Sequence, residues 1–458
     1  MTAVTFTNPA PATSTSGAAQ LRAVLGLSPS DSGPTWLAQA RRESFEWAAT
    51  HGLPTRKDED WKYTRLDALL DVPFERAEAG GSHRVASAAL AALTLNPSST
   101  RVVFVNGHFV SDLSSLSDLE GGVTVTSLAA ALAEEATGLE SVFSRAFDQY
   151  DHAFTALNTA LAVDGAYIRI AADTVVDAPI ELVFLSDVQD TPLLSSPRSV
   201  ILAGPRSRVS VVETHAGIAS GLTWTNAVVH VVLDEGARVD HFKIQDEPDT
   251  GFHLALLDVR QGPDSRFSSS SMMLGSKIAR NEVHVRLEGE GSRVSVDGLY
   301  WPRGDQHHDN VVLIEHVAPR CVSHQLYKGI ADGHGHGVFN GRIIVWPGAD
   351  GADANQTNKN LLLSEYAEID TRPRLEIFTD DVKCTHGAAV GALDEEALFY
   401  LRSRGVTREA ARALLTHAFA LEVLHRVESE SLRTHVETLL ADRLSVDGFA
   451  IEGSSGDR

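Results

Sequence analysis

Gly204-Pro-Arg-Ser-Arg-Val-Ser-Val211 is the first of five similar stretches that decide the fold. In each stretch, a turn containing glycine or proline is followed by an arginine, an apolar residue and a short run suited to a strand. The apolar positions are Val209, Val239, Phe267, Val294 and Cys321, so the steps between them are 30, 28, 27 and 27 residues. Glu368-Ile369-Asp370 is a weaker copy that begins about two units further on.

A repeat of this length without helical periodicity indicates stacked units made of strands alone. One such unit cannot bury its apolar face, whereas stacking buries it between neighbouring units. A sandwich of independent hairpins is the competing interpretation, but it does not require so even a step. The sequence therefore predicts a right-handed parallel β-helix over residues 165–385, and it places Cys321 in the core of that helix.

Helical sequence flanks the repeats on both sides. A mixed, mainly helical domain is predicted at 31–164, a helical domain at 386–450, and disordered tails at 1–30 and 451–458. Helices are predicted at Thr35–Thr50, Ser127–Glu135, Glu140–Ala162, Glu395–Arg404, from Thr407 onward and at Ser429–Leu444. Asn106-Gly107 lies between two short apolar runs, which predicts a β-hairpin over Arg101–Val110.

Composition excludes several classes of protein. The formal net charge is −22, and no Lys/Arg-rich block offsets it locally, so nucleic-acid binding is not expected. No apolar run reaches the roughly 18 residues that indicate a membrane span. The first twenty residues lack the basic start and apolar centre of a secretory signal. Only two cysteines are present, so we expect a protein of the reducing cytoplasm without a disulfide framework.

Several long motifs lie in the last third of the chain. They are Asn355-Gln-Thr-Asn-Lys-Asn-Leu-Leu-Leu-Ser364, Pro373-Arg-Leu-Glu-Ile-Phe-Thr-Asp-Asp-Val-Lys-Cys-Thr-His-Gly387 and Leu393-Asp-Glu-Glu-Ala-Leu-Phe-Tyr-Leu-Arg-Ser-Arg-Gly405, with Gln306-His-His-Asp-Asn310, His316-Val-Ala-Pro319 and Leu326-Tyr-Lys-Gly-Ile330 upstream. Together they resemble the SufB/SufD family of iron–sulfur cluster assembly scaffolds. The resemblance covers at least residues 298–416, and more weakly the whole repeat region.

Within that family, Glu59-Asp-Trp-Lys-Tyr63 is more similar to SufD than to SufB, and the N-terminal cysteine pair of many SufB proteins is missing. The resemblance implies a β-helix core flanked by helical domains. It also implies a non-catalytic scaffold that pairs with a SufB-like subunit and a SufC-like ABC-type ATPase dimer. The C-terminal helical domain would hold one ATPase. Whether the chain forms a homodimer in the absence of the partner is left open. The stoichiometry of the complex and the binding of a flavin to it are left open as well.

Lys383-Cys-Thr-His-Gly387 contains the sharpest candidate site. Cysteine thiolate and imidazole are natural ligands of iron and of Fe–S clusters. Because one residue separates them on an extended strand, Cys384 and His386 should point to the same face. A cluster usually takes four ligands, so none should be stably bound by this chain alone. The resemblance implies that the pair lies at the SufB-like interface, where a transient cluster would be shared. Alternatively, Cys384 is a small core residue and His386 bonds the backbone.

Other polar groups have simpler interpretations. Histidines are dense at 307, 308, 316, 324, 334 and 336, and Gly333-His-Gly-His-Gly337 departs from the family pattern. We interpret that tract as a flexible turn that binds metals adventitiously. Asp380-Asp381 is expected in solvent, and Asp394-Glu395-Glu396 at a helix N-terminus. Neither a phosphate-binding Gly-x-x-x-x-Gly-Lys-Ser/Thr loop nor a Gly-x-Ser-x-Gly elbow is present.

The C-terminal helices carry more bulky apolar residues than a small helical pair needs, namely Phe399, Tyr400, Leu401 and Phe419. They are expected to pack against each other and against the end of the solenoid, which would cap its last coil, or to dock on the ATPase; both could hold, on opposite faces. Three other functions stay open at this point. They are a SufB-like main scaffold, a β-helix enzyme that processes polysaccharides, and a protein that stores or senses metals through its histidines.

Overall fold

The computed structural model describes residues 29, 33–77, 85, 87–95, 99–116, 119, 121–145, 153–427 and 429–444. The predicted tails lie outside these residues apart from Pro29. So does the middle of the helix predicted at Glu140–Ala162, of which Leu139–Arg145 and Ala153–Leu161 are described as helix.

Strands are the commonest regular structure of the described chain. In the first half they are β1 (Glu75–Arg76), β2 (Arg101–Val105), β3 (His108–Phe109), β4 (Val123–Ser127), β5 (Ala166–Ile170), β6 (Ile180–Ser186), β7 (Leu193–Ser195), β8 (Arg198–Ala203), β9 (Arg208–Gly217) and β10 (Thr223–Leu233). In the second half they are β11 (Arg238–Asp246), β12 (Phe252–Gln261), β13 (Arg266–Met273), β14 (Ile278–Leu287), β15 (Arg293–Tyr300), β16 (His307–His316), β17 (Val322–Ala331), β18 (His336–Val345), β19 (Ala352–Leu362), β20 (Glu368–Ile377) and β21 (Val382–Gly391).

These strands form a β-solenoid of about eight turns, which confirms the predicted parallel β-helix. From β8 to β21, consecutive strands alternate between two sheets, so that each coil adds one parallel strand to each sheet. One sheet, here called sheet A, runs β5-β8-β10-β12-β14-β16-β18-β20, and the other, sheet B, runs β6-β9-β11-β13-β15-β17-β19-β21. Side chains alternate between the lumen and the outer surface of each strand, because the strand period is two.

The repeated apolar position forms one column along the lumen side of sheet B. Strand register stacks Val209, Val239, Phe267, Val294, Ser323, Ala354 and Cys384 in that order. The first four, with Ala354, are buried in the main apolar core. This continuous column supplies the hydrophobic burial that one coil alone could not achieve.

Two details of the predicted repeat are wrong. Ser323 rather than Cys321 continues the column, because the corner between β15 and β16 (Trp301–Gln306) is two residues longer than the preceding corner (Leu274–Lys277). Cys321 precedes β17 and is nevertheless fully buried in the core, as expected. Ile369 belongs to β20 in sheet A, beside Gly337, so it does not echo the sheet B column.

The glycines of the repeat have a conformational role at the corner before each sheet B strand. Positive φ angles recur there at Arg206, Gly236, Asp264, Gly291, Arg320 and Gly351. Their backbone N–H groups bond to carbonyls of the next coil, so the same turn is stacked six times. Left-handed backbone favours glycine. Arg320 occupies the turn position of Gly291 and not the strand position of the repeat arginine Arg293. The unit predicted from Arg320 is therefore displaced by two residues.

The beginning of the solenoid is covered. β2 and β3 form the predicted antiparallel hairpin, with positive φ at both Asn106 and Gly107, and β2 extends sheet B beside β6. β4 pairs antiparallel with β5 at the same end of sheet A. The helices of the described part of the chain are α1 (Thr35–His51), α2 (Asp67–Leu70), α3 (Ser87–Ala92), α4 (Leu128–Ala133), α5 (Leu139–Arg145), α6 (Ala153–Leu161), α7 (Glu395–Ser403), α8 (Arg408–Leu421) and α9 (Glu430–Leu444).

The C-terminal helices lie on the side of the solenoid and do not cap its last coil, so that expectation is wrong. Residues of α8 and α9 and of the short helix Glu422–Arg426 form an apolar cluster with the outer surface of sheet B, including Phe242, Ile244 and Trp301. Charged pairs fix this contact. The Glu422 carboxylate bonds to Lys328 and, at 2.9 Å, to Lys359. Both helices begin with a side-chain cap, since the side chains of Asp394 and Thr407 accept N–H bonds from α7 and α8.

The Glu59–Tyr63 segment connects the N-terminal region to the outer surface of sheet A. Trp61 is buried, and the guanidinium of Arg280 lies 3.7 Å from the centre of its ring. Asp60 accepts hydrogen bonds from Asn340 and Arg374 at 3.0 and 2.9 Å, and its carbonyl accepts one from Arg280. This charged stretch therefore binds across four coils of the solenoid.

Candidate functional site

The last coil of the solenoid, formed by β20 and β21, is open. Each of these strands is the final member of its sheet, so one edge of each has no ladder partner among the described residues. Most of β21 from Thr385 onward is exposed. Ten residues at about 3.3 Å each give two parallel edges about 33 Å long. Unpaired edges of this length are templates for pairing with another chain.

Exposed apolar side chains concentrate at the same end. Eight large hydrophobic residues in the described part of the chain are exposed, and six of them lie between residues 366 and 400. These six are Tyr366, Ile377, Phe378, Val390, Phe399 and Tyr400. Exposed apolar patches of this kind mark interaction surfaces in soluble proteins. The open coil therefore combines unsatisfied backbone groups with apolar contact area.

Cys384 and His386 lie on the lumen side of this last coil. Cys384 stacks on Ala354, and His386 stacks on Gln356, so the two share a face, as the strand period requires. Cys384 is half-buried against the end of the core, and His386 is exposed. The alternative that Cys384 is a core residue is therefore right in part, since one side of the thiol packs on the core and the other faces the open end.

The electrostatic environment keeps the Cys384 thiol protonated. Burial raises its pKa, and the nearby carboxylate of Asp353 adds to that shift. A thiol with a raised pKa is a weak nucleophile and a weak ligand until a metal displaces its proton. Two sets of three metal-ligating side chains occur among the described residues, and neither contains Cys384 or His386. This chain thus presents two candidate ligands at the open end, fewer than a cluster takes.

Cys321 lies in a different environment. It is fully buried, its sulfur lies 3.2 Å from the hydroxyl of Ser292, and it donates to the carbonyl of Gly289. Burial raises the pKa of this thiol as well. These contacts support the interpretation of Cys321 as a core residue.

The histidine-dense region separates into distinct sites. His308 and His316 are buried, and they bond to Gly275 and Ser323. His334 is exposed in the Asp332–Gly335 turn and stacks on Tyr366. His336 is the first residue of β18 and lies directly beside His307. Their separation of 29 residues equals one coil, and this is the signal in the sequence that could have paired them.

Comparison with known proteins follows the same division of the chain. Residues 184–419 match the sequence profile described as SUF system FeS cluster assembly, SufBD core domain. Residues 30–182 match the profile of the SufBD protein N-terminal region. The chain belongs to the SufBD family.

Relatives of the family match this chain over most of its length. A SufBD family iron–sulfur cluster assembly protein of Synechocystis sp. is 31% identical, with 89% of this chain and 91% of the relative covered. The iron–sulfur cluster assembly protein SufD of Escherichia coli is 31% identical, with 86% and 90% covered. The chloroplastic protein ABCI7 of Arabidopsis thaliana is 32% identical, with 91% and 88% covered. The resemblance to SufD is thereby confirmed.

Within the described residues, no helix is long and apolar enough to cross a membrane.

Proposed function

We propose that this chain is a non-catalytic scaffold subunit for iron–sulfur cluster assembly, which pairs through its open coil with a SufB-like subunit. The observation that carries the proposal is the open last coil, where two free strand edges surround a thiol and an imidazole. Both strands are ten residues long. A second solenoid of similar cross-section would continue both sheets and cover the half-buried side chains at the end of the core.

The cluster would be the cargo of this interface. Cys384 and His386 supply two ligands from this chain, and the SufB-like partner supplies the others. Cluster binding would release the proton from the Cys384 thiol, because the ligand is the thiolate. A closed interface would also exclude water from a site that faces solvent in the free chain. These features support a cluster that is held only while the two subunits are paired.

A SufC-like ATPase would bind the C-terminal helical domain. Phe399 and Tyr400 in α7 are 73% and 57% exposed, although neighbouring residues of α8 are buried against the solenoid. Aromatic side chains left free on a docked helix fit a groove in a partner. Because α8 and α9 are fixed to sheet B, a movement of the ATPase would be transmitted to the solenoid.

Co-expression with the candidate partners tests both contacts. Val390→Lys places a charge at the open coil and should lower recovery of the SufB-like subunit at least tenfold. Val175→Lys is the matched control, because Val175 is also about half exposed but lies far along the chain from β21. The double variant Phe399→Ala/Tyr400→Ala should lose the ATPase and keep the SufB-like subunit. Equal recovery of both partners with all three variants would refute the proposal.

The cluster site needs a separate measurement. His386→Ala and Cys384→Ser should lower cluster formation in cells while the amount of purified complex stays the same. Cys321→Ser serves as the control for loss of a thiol elsewhere in the solenoid. Unchanged cluster output from the two site variants, at an unchanged level of complex, would contradict a role for this pair.

A further inference from the structure

Two imidazoles and two carboxylates meet at one corner of the last three coils. The first residues of β16, β18 and β20 are His307, His336 and Glu368, and strand register aligns them in one outward-facing row. Asp370 follows two residues later on the same face. Ligand atoms of His336, Glu368 and Asp370 all lie within 4.8 Å of one another. The Nδ1 atoms of His307 and His336 are 3.1 Å apart.

The hydrogen bonds of His307 fix its proton on Nε2. This atom lies 2.9 Å from the Thr64 hydroxyl, which lies 2.5 Å from Oδ2 of Asp309. That carboxyl oxygen also accepts a bond from Arg280, so it carries no proton. Thr64 must therefore donate its single proton to Asp309, and its oxygen accepts from His307.

The same reasoning applies to His336. Its Nε2 lies 2.9 Å from Oδ2 of Asp370, and a carboxylate can only accept, so the proton of the neutral ring is on Nε2. Both Nδ1 atoms then carry lone pairs that face each other at 3.1 Å. Two acceptors at this distance repel each other unless a cation lies between them.

The arrangement has the features of a metal centre. Two nitrogen ligands on one tetrahedral ion are about 3.3 Å apart, given metal–nitrogen distances near 2.0–2.1 Å. Metal-binding histidines typically donate the other ring N–H to a carboxylate or another acceptor, as Asp370 and Thr64 accept here. Glu368 is exposed and its carboxylate has no hydrogen bond or ion pair within the described chain, so it is available as a third ligand.

The geometry points to a binding site for one divalent transition-metal ion, held by Nδ1 of His307 and Nδ1 of His336, with the exposed carboxylate of Glu368 beside His336 as the third ligand. Asp370 and Thr64 are positioning residues that set the orientation of the two rings. Two imidazoles and one carboxylate suit zinc or ferrous iron and leave a coordination position open. Because Thr64 directly follows the Glu59–Tyr63 segment, the ion would also stabilise the contact between the N-terminal region and the solenoid.

Metal titration of the full-length chain tests the site. The protein carries Cys384→Ser and His386→Ala as a background, so that the proposed cluster ligands cannot contribute and their failure cannot be confused with failure here. After chelation and dialysis, Co²⁺ is added and its visible absorption recorded, with Zn²⁺ competition and anaerobic Fe²⁺ titration in parallel. One equivalent should bind, with an absorption band typical of nitrogen–oxygen coordination.

Matched variants decide which residues are responsible. His336→Gln should weaken Co²⁺ binding at least 100-fold, and Asp370→Asn about 10- to 100-fold, as for other outer-shell partners of metal-binding histidines. His334→Gln removes an exposed imidazole of the same tract and should leave affinity unchanged. Absence of stoichiometric binding would mean that a shared proton bridges the two rings, and it would overturn the proposal. An equal loss with His334→Gln would also overturn it, since it indicates adventitious binding.

Discussion

The buried charge of Arg280 is the feature whose removal should have the largest effect on stability. Arg280 bonds to Glu282 at 2.6 Å and to Asp309, and the side chains of Arg280 and Asp309 are each 2% exposed. The substitution Arg280→Met would keep most of the volume and remove the cation that pairs with the buried Asp309 carboxylate. Breaking a buried ion pair in this way costs about 3–5 kcal/mol. The stacking on Trp61 would be lost as well.

The loss of unfolding free energy caused by Arg280→Met should depend on pH. Burial raises the pKa of Asp309 even with Arg280 in place, and removing the guanidinium would raise it further. When the pKa of a carboxyl group is higher in the folded state, the free energy of unfolding of the protein falls as the pH rises above the pKa of the unfolded state, about 3.9. The variant should therefore be less destabilised at pH 5 than at pH 8, because the protonated carboxyl carries no uncompensated charge.

Urea unfolding followed by tryptophan fluorescence and far-UV circular dichroism measures both effects. Arg206→Met is the matched control, because the Arg206–Asp173 pair is about 60% exposed and screened by water, so its loss should destabilise the protein far less. The double variant Arg280→Met/Asp309→Asn should be destabilised by less than the sum of the single variants, by about 1–3 kcal/mol. A loss for Arg280→Met no larger than that of the control, or a loss that grows toward pH 5, would refute this reasoning.

Three further results are expected. Phe267→Ala should destabilise the solenoid by about 3–5 kcal/mol in the same unfolding assay, because it opens a cavity in the central column; a loss below about 1 kcal/mol would contradict that packing. Iodoacetamide should modify Cys384 slowly at pH 7 and faster above pH 9, because the pKa of this thiol is raised. The buried Cys321 should react only after unfolding. Modification of Cys321 before Cys384, detected by mass spectrometry, would contradict this prediction. Burial raises the pKa of Asp297 to about 6, so its contribution to stability falls as the pH rises from about 4 to 6; Asp297→Asn should flatten this dependence in thermal melts, and an unchanged pH profile would count against it.

The solenoid could be predicted from the sequence because stacking forces a chemical repeat at one position per coil. Val209, Val239, Phe267 and Val294 show that repeat directly. The predicted column position at Cys321 is two residues too early, because a corner can lengthen without changing the apolar pattern of the next strand. Arg320 made the error plausible by occupying a turn position that glycine usually fills.

The placement of the candidate site was predictable only in part. The strand period put Cys384 and His386 on one face, but no local pattern shows that their coil is the last and is open. The apolar stripe of α8 indicates that one face of this helix is buried, but it does not indicate which surface the helix covers. The prediction that the C-terminal helices cap the last coil was wrong for this reason. No local pattern indicates the contacts of Arg280 and Lys328, because Asp60 and Glu422 lie 220 and 94 residues away in the chain.

The two ends of the solenoid differ, and this difference limits how far the chain can polymerise. At the first end, antiparallel strands and the short β3 terminate the sheets, whereas the other end exposes β20 and β21. Among the described residues, long parallel edges are left open at the second end alone, which favours a closed head-to-head pair over an open filament. Proposed pairing through β20 and β21 would join two copies of this solenoid head to head and use up this surface in both.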